Sequence, residues 1–139
     1  MDEYKILFQG VLPAHGSTPT VVYTCPPAGD THVDNGSTVV TNPEAASTFT
    51  QTLITSMVVC NTKSSGNAHF TMFLYPDASA LASYEGDATY CLVYLNVIAS
   101  ASFATYDYGL YMPPGSILTA KGFAADATSL SVLGIETTT

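Results

Sequence analysis

The sequence contains no arginine, and its whole cationic complement is Lys5, Lys63 and Lys121. Nucleic-acid binding needs a basic stripe that neutralises several phosphates, and three scattered lysines do not make one. The bidentate guanidinium clamps that favour carboxylates and phosphates are missing. So is the polybasic segment of a membrane-surface anchor. Charged residues of both signs amount to 10%, against a typical quarter. No segment reaches the roughly 18 apolar residues of a spanning helix. Asp2 and Glu3 stand where a secretory leader has a positive region, and no apolar run precedes a small-residue site. No Cys-x-x-Cys or Cys-x-x-His pair exists, so a zinc site has no local support. Gly-x-Ser-x-Gly, Ser-x-x-Lys, Gly-x-Gly-x-x-Gly and the P-loop pattern are absent too.

What is there is apolar and neutral-polar. Of the 139 residues, 47% are hydrophobic, which is not the composition of a disordered acidic tail. Eleven acids set the net charge at −8. Thr and Ser, roughly a quarter of the chain and well above average usage, supply the polar surface. The length suits one domain, residues 1–139, with a real core.

Thr, Val, Tyr, Ile and Phe dominate short apolar runs, and these residues favour strands. The patterning predicts strands near Tyr4–Leu12, Thr20–Cys25, Thr38–Thr41, Gln51–Asn61, His69–Tyr75, Thr89–Ile98, Ser102–Tyr108, Ile117–Gly122 and Ser129–Ile135. Pro26-Pro27-Ala28-Gly29-Asp30 and Pro113-Pro114-Gly115-Ser116 read as turns, and Asp34-Asn35-Gly36 as a hairpin signal. Pro76 to Tyr84 is the one helical candidate, a turn or two at most or else a loop. Gly29–Thr50 is rich in small polar residues and reads as an extended loop or arm with a short strand inside. Eight to nine short antiparallel strands indicate an all-β, single-domain β-sandwich of jelly-roll type, with an open barrel as the runner-up. Phe70-Thr71-Met72-Phe73-Leu74-Tyr75 has large side chains on both faces. One face then lies on the core and the other against a neighbouring subunit.

Candidate chemistry is sparse. Asp30, His32 and Asp34 alternate, which on a strand places all three on one face where they can collect a divalent ion; a solvated polar loop explains them as well. His15 sits in a loop, and His69 reads as a strand-edge or interface residue. Glu85 and Asp87 flank Gly86 and are the sole pair suited to two-carboxylate hydrolysis, yet they look like an exposed loop tip. Cys25, Cys60 and Cys91 read as small buried strand residues, with one disulfide, within or between subunits, as the alternative. Tyr84, Tyr90, Tyr94, Tyr106, Tyr108 and Tyr111 crowd one third of the chain. Tyr106 and Tyr108 share a face if the strand runs through both. Core rim, interface and sugar-stacking platform are the three readings of this group. No catalytic, cofactor or metal residue is assigned.

Tyr4-Lys5-Ile6-Leu7-Phe8-Gln9-Gly10, followed by Val22-Tyr23-Thr24-Cys25-Pro26, resembles the start of small β-rich virion structural proteins of tailed bacteriophages, many from cyanophages and other marine phages. Ser56-Met57-Val58-Val59-Cys60-Asn61 and Phe70-Thr71-Met72-Phe73-Leu74 are similar to their central step between strands. Leu110-Tyr111-Met112-Pro113-Pro114-Gly115-Ser116-Ile117-Leu118 and Leu130-Ser131-Val132-Leu133-Gly134-Ile135-Glu136 resemble their closing hairpin. Gly29–Thr50 departs from the short connection of that pattern. The resemblance implies a non-enzymatic virion protein, made in the host cytoplasm: a capsid decoration or cement subunit. It implies a homotrimer that contacts major capsid or tail proteins. The alternative is a tail fibre, adhesin or adaptor that binds host glycan. A polysaccharide hydrolase using Glu85 and Asp87 is the third reading. No cofactor, nucleic acid or membrane is implied.

Overall fold

The computed structural model describes residues 2–26, 31–34, 38–41, 50–107, 109–124 and 127–138. Within them the strands are β1 (Asp2–Val11), β2 (Thr20–Thr24), β3 (Thr31–Asp34), β4 (Thr38–Thr41), β5 (Thr50–Asn61), β6 (Ala68–Tyr75), β7 (Cys91–Ile98), β8 (Phe103–Tyr106), β9 (Leu110–Met112), β10 (Ile117–Lys121) and β11 (Thr128–Thr138). One helix, α1 (Ala78–Tyr84), and a 3-10 turn at Ala88–Tyr90 lie between β6 and β7. Sheet I has the order β1-β11-β5-β8, with β9 also paired to β5. Sheet II has the order β2-β10-β6-β7. All pairings are antiparallel.

The pairs nest. β1 takes β11, β2 takes β10, β5 takes β8 and β9, and β6 takes β7. A ribbon of four such pairs wrapped into two facing sheets is the jelly roll. The fold is an all-β sandwich of this topology. The β3–β4 hairpin is inserted in the connection from β2 to β5.

The core follows from period-two alternation. Leu7, Phe8, Ile54, Met57, Val59, Leu130 and Val132 point inward from sheet I, and Val22, Tyr23, Phe70, Met72, Leu118 and Ala120 from sheet II. Each core side chain of this size contributes about 1.5–3 kcal/mol by leaving water. Sheet I bulges twice. β1 and β11 shift register between Ile6 and Phe8, and β11 and β5 shift at Leu133/Gly134. At the second bulge a Cβ on Gly134 would lie 2.7 Å from Leu7 Cδ1 and 2.8 Å from the Leu53 carbonyl oxygen. Only glycine fits there.

Several expectations change in detail. The strand predicted over Ser102–Tyr108 ends at Tyr106, and Tyr108 lies outside the described residues. Gly109 takes φ +41, and the chain resumes as β9 against the other end of β5. β8 and β9 are thus one edge strand in two pieces. The strand predicted from Thr89 starts at Cys91, because Asp87 caps the 3-10 turn before it. α1 forms with Asp77 as N-cap, its carboxylate accepting from Ala80 N at 2.8 Å. Pro113-Pro114-Gly115-Ser116 is a turn with φ +82 at Gly115 and Ser116 N bonded to Pro113 O at 3.1 Å. Within Gly29–Thr50, β3 and β4 form a hairpin; residues 27–30, 35–37 and 42–49 lie outside the described residues, and with them most of the predicted arm.

The second face of β6 is covered at Phe73 and Tyr75 by the chain itself. Phe73, Tyr75 and Ala80 form a small cluster with Leu81, Tyr90 and Cys91 on the outside of sheet II. The Tyr75 hydroxyl accepts from Gly86 N at 2.8 Å. The chain's own connection from β6 to β7 therefore roofs the end of β6, while Leu92, Tyr94 and Val97 of β7 stay exposed.

Candidate functional site

Sheet I presents a different outside. Its outward residues line up in rows set by the register. The first row is Tyr4, Ile135, Leu53 and Tyr111 across β1, β11, β5 and β9. The second is Ile6, Leu133 and Ser56. The third is Gln9, Ser131, Val58 and Thr105. The fourth is Val11, Ser129, Cys60 and Phe103. None of these side chains is charged. Tyr4 is 61% exposed, Tyr111 53% and Phe103 66%, and Ile6, Val11 and Leu53 are exposed as well. Thr55, the extra residue at the bulge, bonds Leu133 O at 3.3 Å and reaches the Tyr4 hydroxyl at 3.5 Å. At one end the face closes with Asp2, Thr137 and Gln51. Thr137 Oγ1 donates to Asp2 Oδ1 at 2.8 Å, and the Tyr111 hydroxyl donates to Gln51 Oε1 at 2.8 Å.

Four strands about 4.8 Å apart and roughly eight residues at 3.3 Å make a face on the order of 500 Å². Its contiguous apolar part is the first two rows, Tyr4, Ile135, Leu53 and Tyr111 with Ile6 and Leu133, while the third row is polar apart from Val58. On a chain of net charge −8 these rows carry no acid. Sequence patterning pointed to double-faced strands but placed the open face on β6; the register places it on sheet I.

A second arrangement is largely buried, with Lys5 at its half-buried end. Lys5 and Glu136 face inward from β1 and β11, and Lys5 Nζ lies 2.8 Å from Glu136 Oε2. The Tyr23 hydroxyl donates to Glu136 Oε1. Its oxygen is 2.8 Å from Thr52 Oγ1, and Thr52 Oγ1 is 3.4 Å from Cys25 Sγ. Since the phenol proton goes to the carboxylate, Thr52 donates to the phenol oxygen and the Cys25 thiol donates to Thr52. The result is a directional chain from thiol to carboxylate that ties sheet II to sheet I. Tyr23 and Cys25 are fully buried and Glu136 is 7% exposed. Burial, then the Glu136 carboxylate, pushes the Tyr23 phenol far above its ordinary range. Burial pushes the Cys25 thiol up to about 11, against the pull of its Thr52 bond. A thiol so raised is no nucleophile at neutral pH. The cluster holds the two sheets in register. Composition concealed it, but phase does not: Lys5 falls two residues before Leu7, and Glu136 is in step with Leu130 and Val132.

The other predicted residues scatter. Glu85 caps the C-terminus of α1, and Asp87 caps the 3-10 turn by accepting from Thr89 N at 2.8 Å. That bond holds the Asp87 carboxyl below its ordinary range. His69 pairs with Val97 of β7 on one side, and on the other the pairing of β6 with β10 has ended at Thr71, so it stands at a local strand edge. Its ring meets Phe123 edge-on at 4.9 Å, and Lys63 Nζ sits 4.8 Å over the same ring. His15 Nδ1 is buried without a hydrogen-bond partner in the loop after β1. His32 and Asp34 lie in β3, while Asp30 lies outside the described residues. Among the described residues no three His, Cys, Asp or Glu side chains gather as a metal site. Cys25, Cys60 and Cys91 form no disulfide, and of the three only Cys25 is fully buried. The tyrosines divide: Tyr84 and Tyr90 pack with Tyr75 over sheet II, Tyr106 bonds Asn96 between the sheets' ends, and Tyr111 joins the open face. Among the described residues no helix is long and apolar enough to cross a membrane. No protein-family model, curated protein or solved structure matches this chain.

Proposed function

We propose that this chain is a non-enzymatic structural subunit of a tailed-phage virion, a capsid decoration or cement protein. The observation that carries the reading is the uncharged, open outer face of sheet I on an otherwise acidic protein. The resemblance of its opening, central and closing segments to small phage virion proteins supports it. The jelly roll supports it as well, since that architecture recurs in viral capsid domains. The mechanism is buried area. The face attaches the subunit to a neighbour, and repetition over a shell turns modest contacts into avidity. The acidic remainder keeps free subunits apart before assembly.

The test is copy number in purified particles of the phage that encodes the chain. Quantitative mass spectrometry against the major capsid protein should find hundreds of copies. A handful of copies would place it on the tail. Absence from the particle would overturn the virion reading altogether. A glycan-binding tail role draws on one observation. A pocket of about 360 Å³ on sheet II is lined by Phe73, Gly86, Ala88, Cys91 and Tyr94, and its exposed tyrosine can stack on a pyranose ring.

A further inference from the structure

We propose that two copies of this chain pair face to face through the outside of sheet I, about a two-fold axis lying along the row Ile6–Leu133–Ser56. The proposal rests on the reading of that face as an assembly surface and names its occupant. The resemblance to virion proteins implies a trimer. A three-fold ring needs this face to fit a different surface of the next copy, whereas a two-fold pair needs it to fit itself. Its relief does fit itself.

The first row is tall: Tyr4, Ile135, Leu53 and Tyr111. The third row is lower: Gln9, Ser131, Val58 and Thr105. The second row lies between them. Rotation about that middle row lays each strand over its own copy and reverses it. Ile135 of one copy then falls on Ser131 of the other, Leu53 on Val58, Tyr4 on Gln9 and Tyr111 on Thr105. Large side chains meet smaller ones, twice over, and sheets of this kind pack about 10 Å apart. Val11, Ser129 and Cys60 come opposite Asp2, Thr137 and Gln51, which form a polar margin.

Area and charge agree with this occupant. Two faces of the size given above bury on the order of 1,000 Å² together, the threshold of a specific interface. Each copy carries net charge −8, and apart from Asp2 in the margin the pair meets through rows that carry none of it. A cationic partner would instead seek the acids at the loops, and salt would weaken that contact. Pairing of two like-charged copies through an apolar face strengthens as salt screens their repulsion.

The experiment is sedimentation equilibrium of the full chain from about 1 to 100 µM, the range that an interface near the size threshold calls for. The native chain should pass from a species of 14.6 kDa to one of twice that mass, and at lower concentration in high salt. Ile135→Lys and Ser131→Asp should each shift dissociation at least tenfold toward monomer, with unfolding midpoints showing that both variants fold. The two positions are four residues apart on one strand, roughly 13 Å, so they do not pair within a copy. Across the proposed axis they do, and the Ser131→Asp, Ile135→Lys double variant should recover dimer, now weakened by salt. If the double variant stays monomeric, the axis is wrong. A trimer, or a native chain monomeric throughout the range, would overturn the two-fold pair. Neither result touches copy number in the particle, which tests the virion reading separately. Leu53→Lys repeats the disruption should Ile135→Lys fail to fold.

Discussion

Replacing Tyr23 by phenylalanine removes a single oxygen from the centre of the molecule. The ring keeps its place among buried neighbours, so the transfer contribution is close to zero. What is lost is polar. Glu136 Oε1 loses its donor and keeps only the Lys5 ammonium, 2.8 Å from Oε2. The Thr52 hydroxyl, 1% exposed, loses the acceptor 2.8 Å away. A hydrogen bond to a charged group is worth about 1.5–3 kcal/mol, and a stranded buried hydroxyl costs about 1 kcal/mol more. The expected loss is therefore about 2.5–4 kcal/mol, a large part of the stability of an ordinary domain. Urea unfolding at pH 7, followed by circular dichroism, measures it, with an unchanged m-value showing that the compactness of both states is preserved. A second substitution sharpens the test. Thr52→Val added to Tyr23→Phe removes the stranded hydroxyl, so the double variant should be more stable than the sum of the single losses predicts. If Tyr23→Phe stays within about 0.5 kcal/mol of the parent, or the two losses simply add, then the directional chain from Cys25 to Glu136 is not an energetic unit.

Three further outcomes follow from the same structure. Gly134→Ala should cost about 1–3 kcal/mol or more, because one of the two contacts under 3 Å is backbone that cannot swing away; a thermal midpoint equal to the parent's would refute the close approach. Asn61→Ala should lower stability by about 2–3 kcal/mol, since the buried amide bonds Gly66 O at 3.1 Å and Ile98 O at 2.9 Å and accepts from Lys63 N at 3.0 Å; unchanged hydrogen exchange at these positions would count against it. Stability should fall as pH rises above 9, because the folded chain holds the Cys25 proton up to about 11 while the unfolded thiol loses it near 9.0, a loss of about 1.4 kcal/mol per pH unit across that window. Tyr23, raised further still, continues the decline beyond pH 10, and a flat profile from pH 8 to 11 would contradict both.

Strand existence was readable where alternation was strong and turn chemistry bounded it. Ile117 to Lys121 and Thr20 to Thr24 lie where period-two patterning placed them, and Pro113-Pro114-Gly115 turned where Pro and Gly require. β9 was not readable as a separate strand, because three residues carry no period, and its identity comes only from pairing Leu53 with Tyr111. β3 was missed for a similar reason: Thr31–Asp34 is four residues with one apolar side chain, and only pairing with β4 makes it a strand. The open face was half visible. That strands carried large residues on two sides was plain, but which side the chain itself would cover depended on where residues 76–90 fold back, and local sequence does not encode that. The Lys5–Glu136 contact joins positions at opposite ends of the chain. Phase alone would have placed both inward, and the opposite charges would have suggested each other.

The centre of sheet I is its latest-arriving member. β11, last of the strands in sequence, hydrogen-bonds β1 on one side and β5 on the other. Until it is made, those two strands have no common neighbour, and the earliest one waits for a partner more than a hundred residues away. Folding must therefore close one long loop to pair β1 with β11, which predicts a slow, non-local transition. Through that wait β1 and β5 show bare edges to one another and to other chains. A nascent chain lacking Thr128 onward would carry Lys5 without its carboxylate and a sheet in two halves. Newly made copies are thus most exposed to mispairing before Thr128–Thr138 is made, when β1 and β5 stand without the strand that joins them.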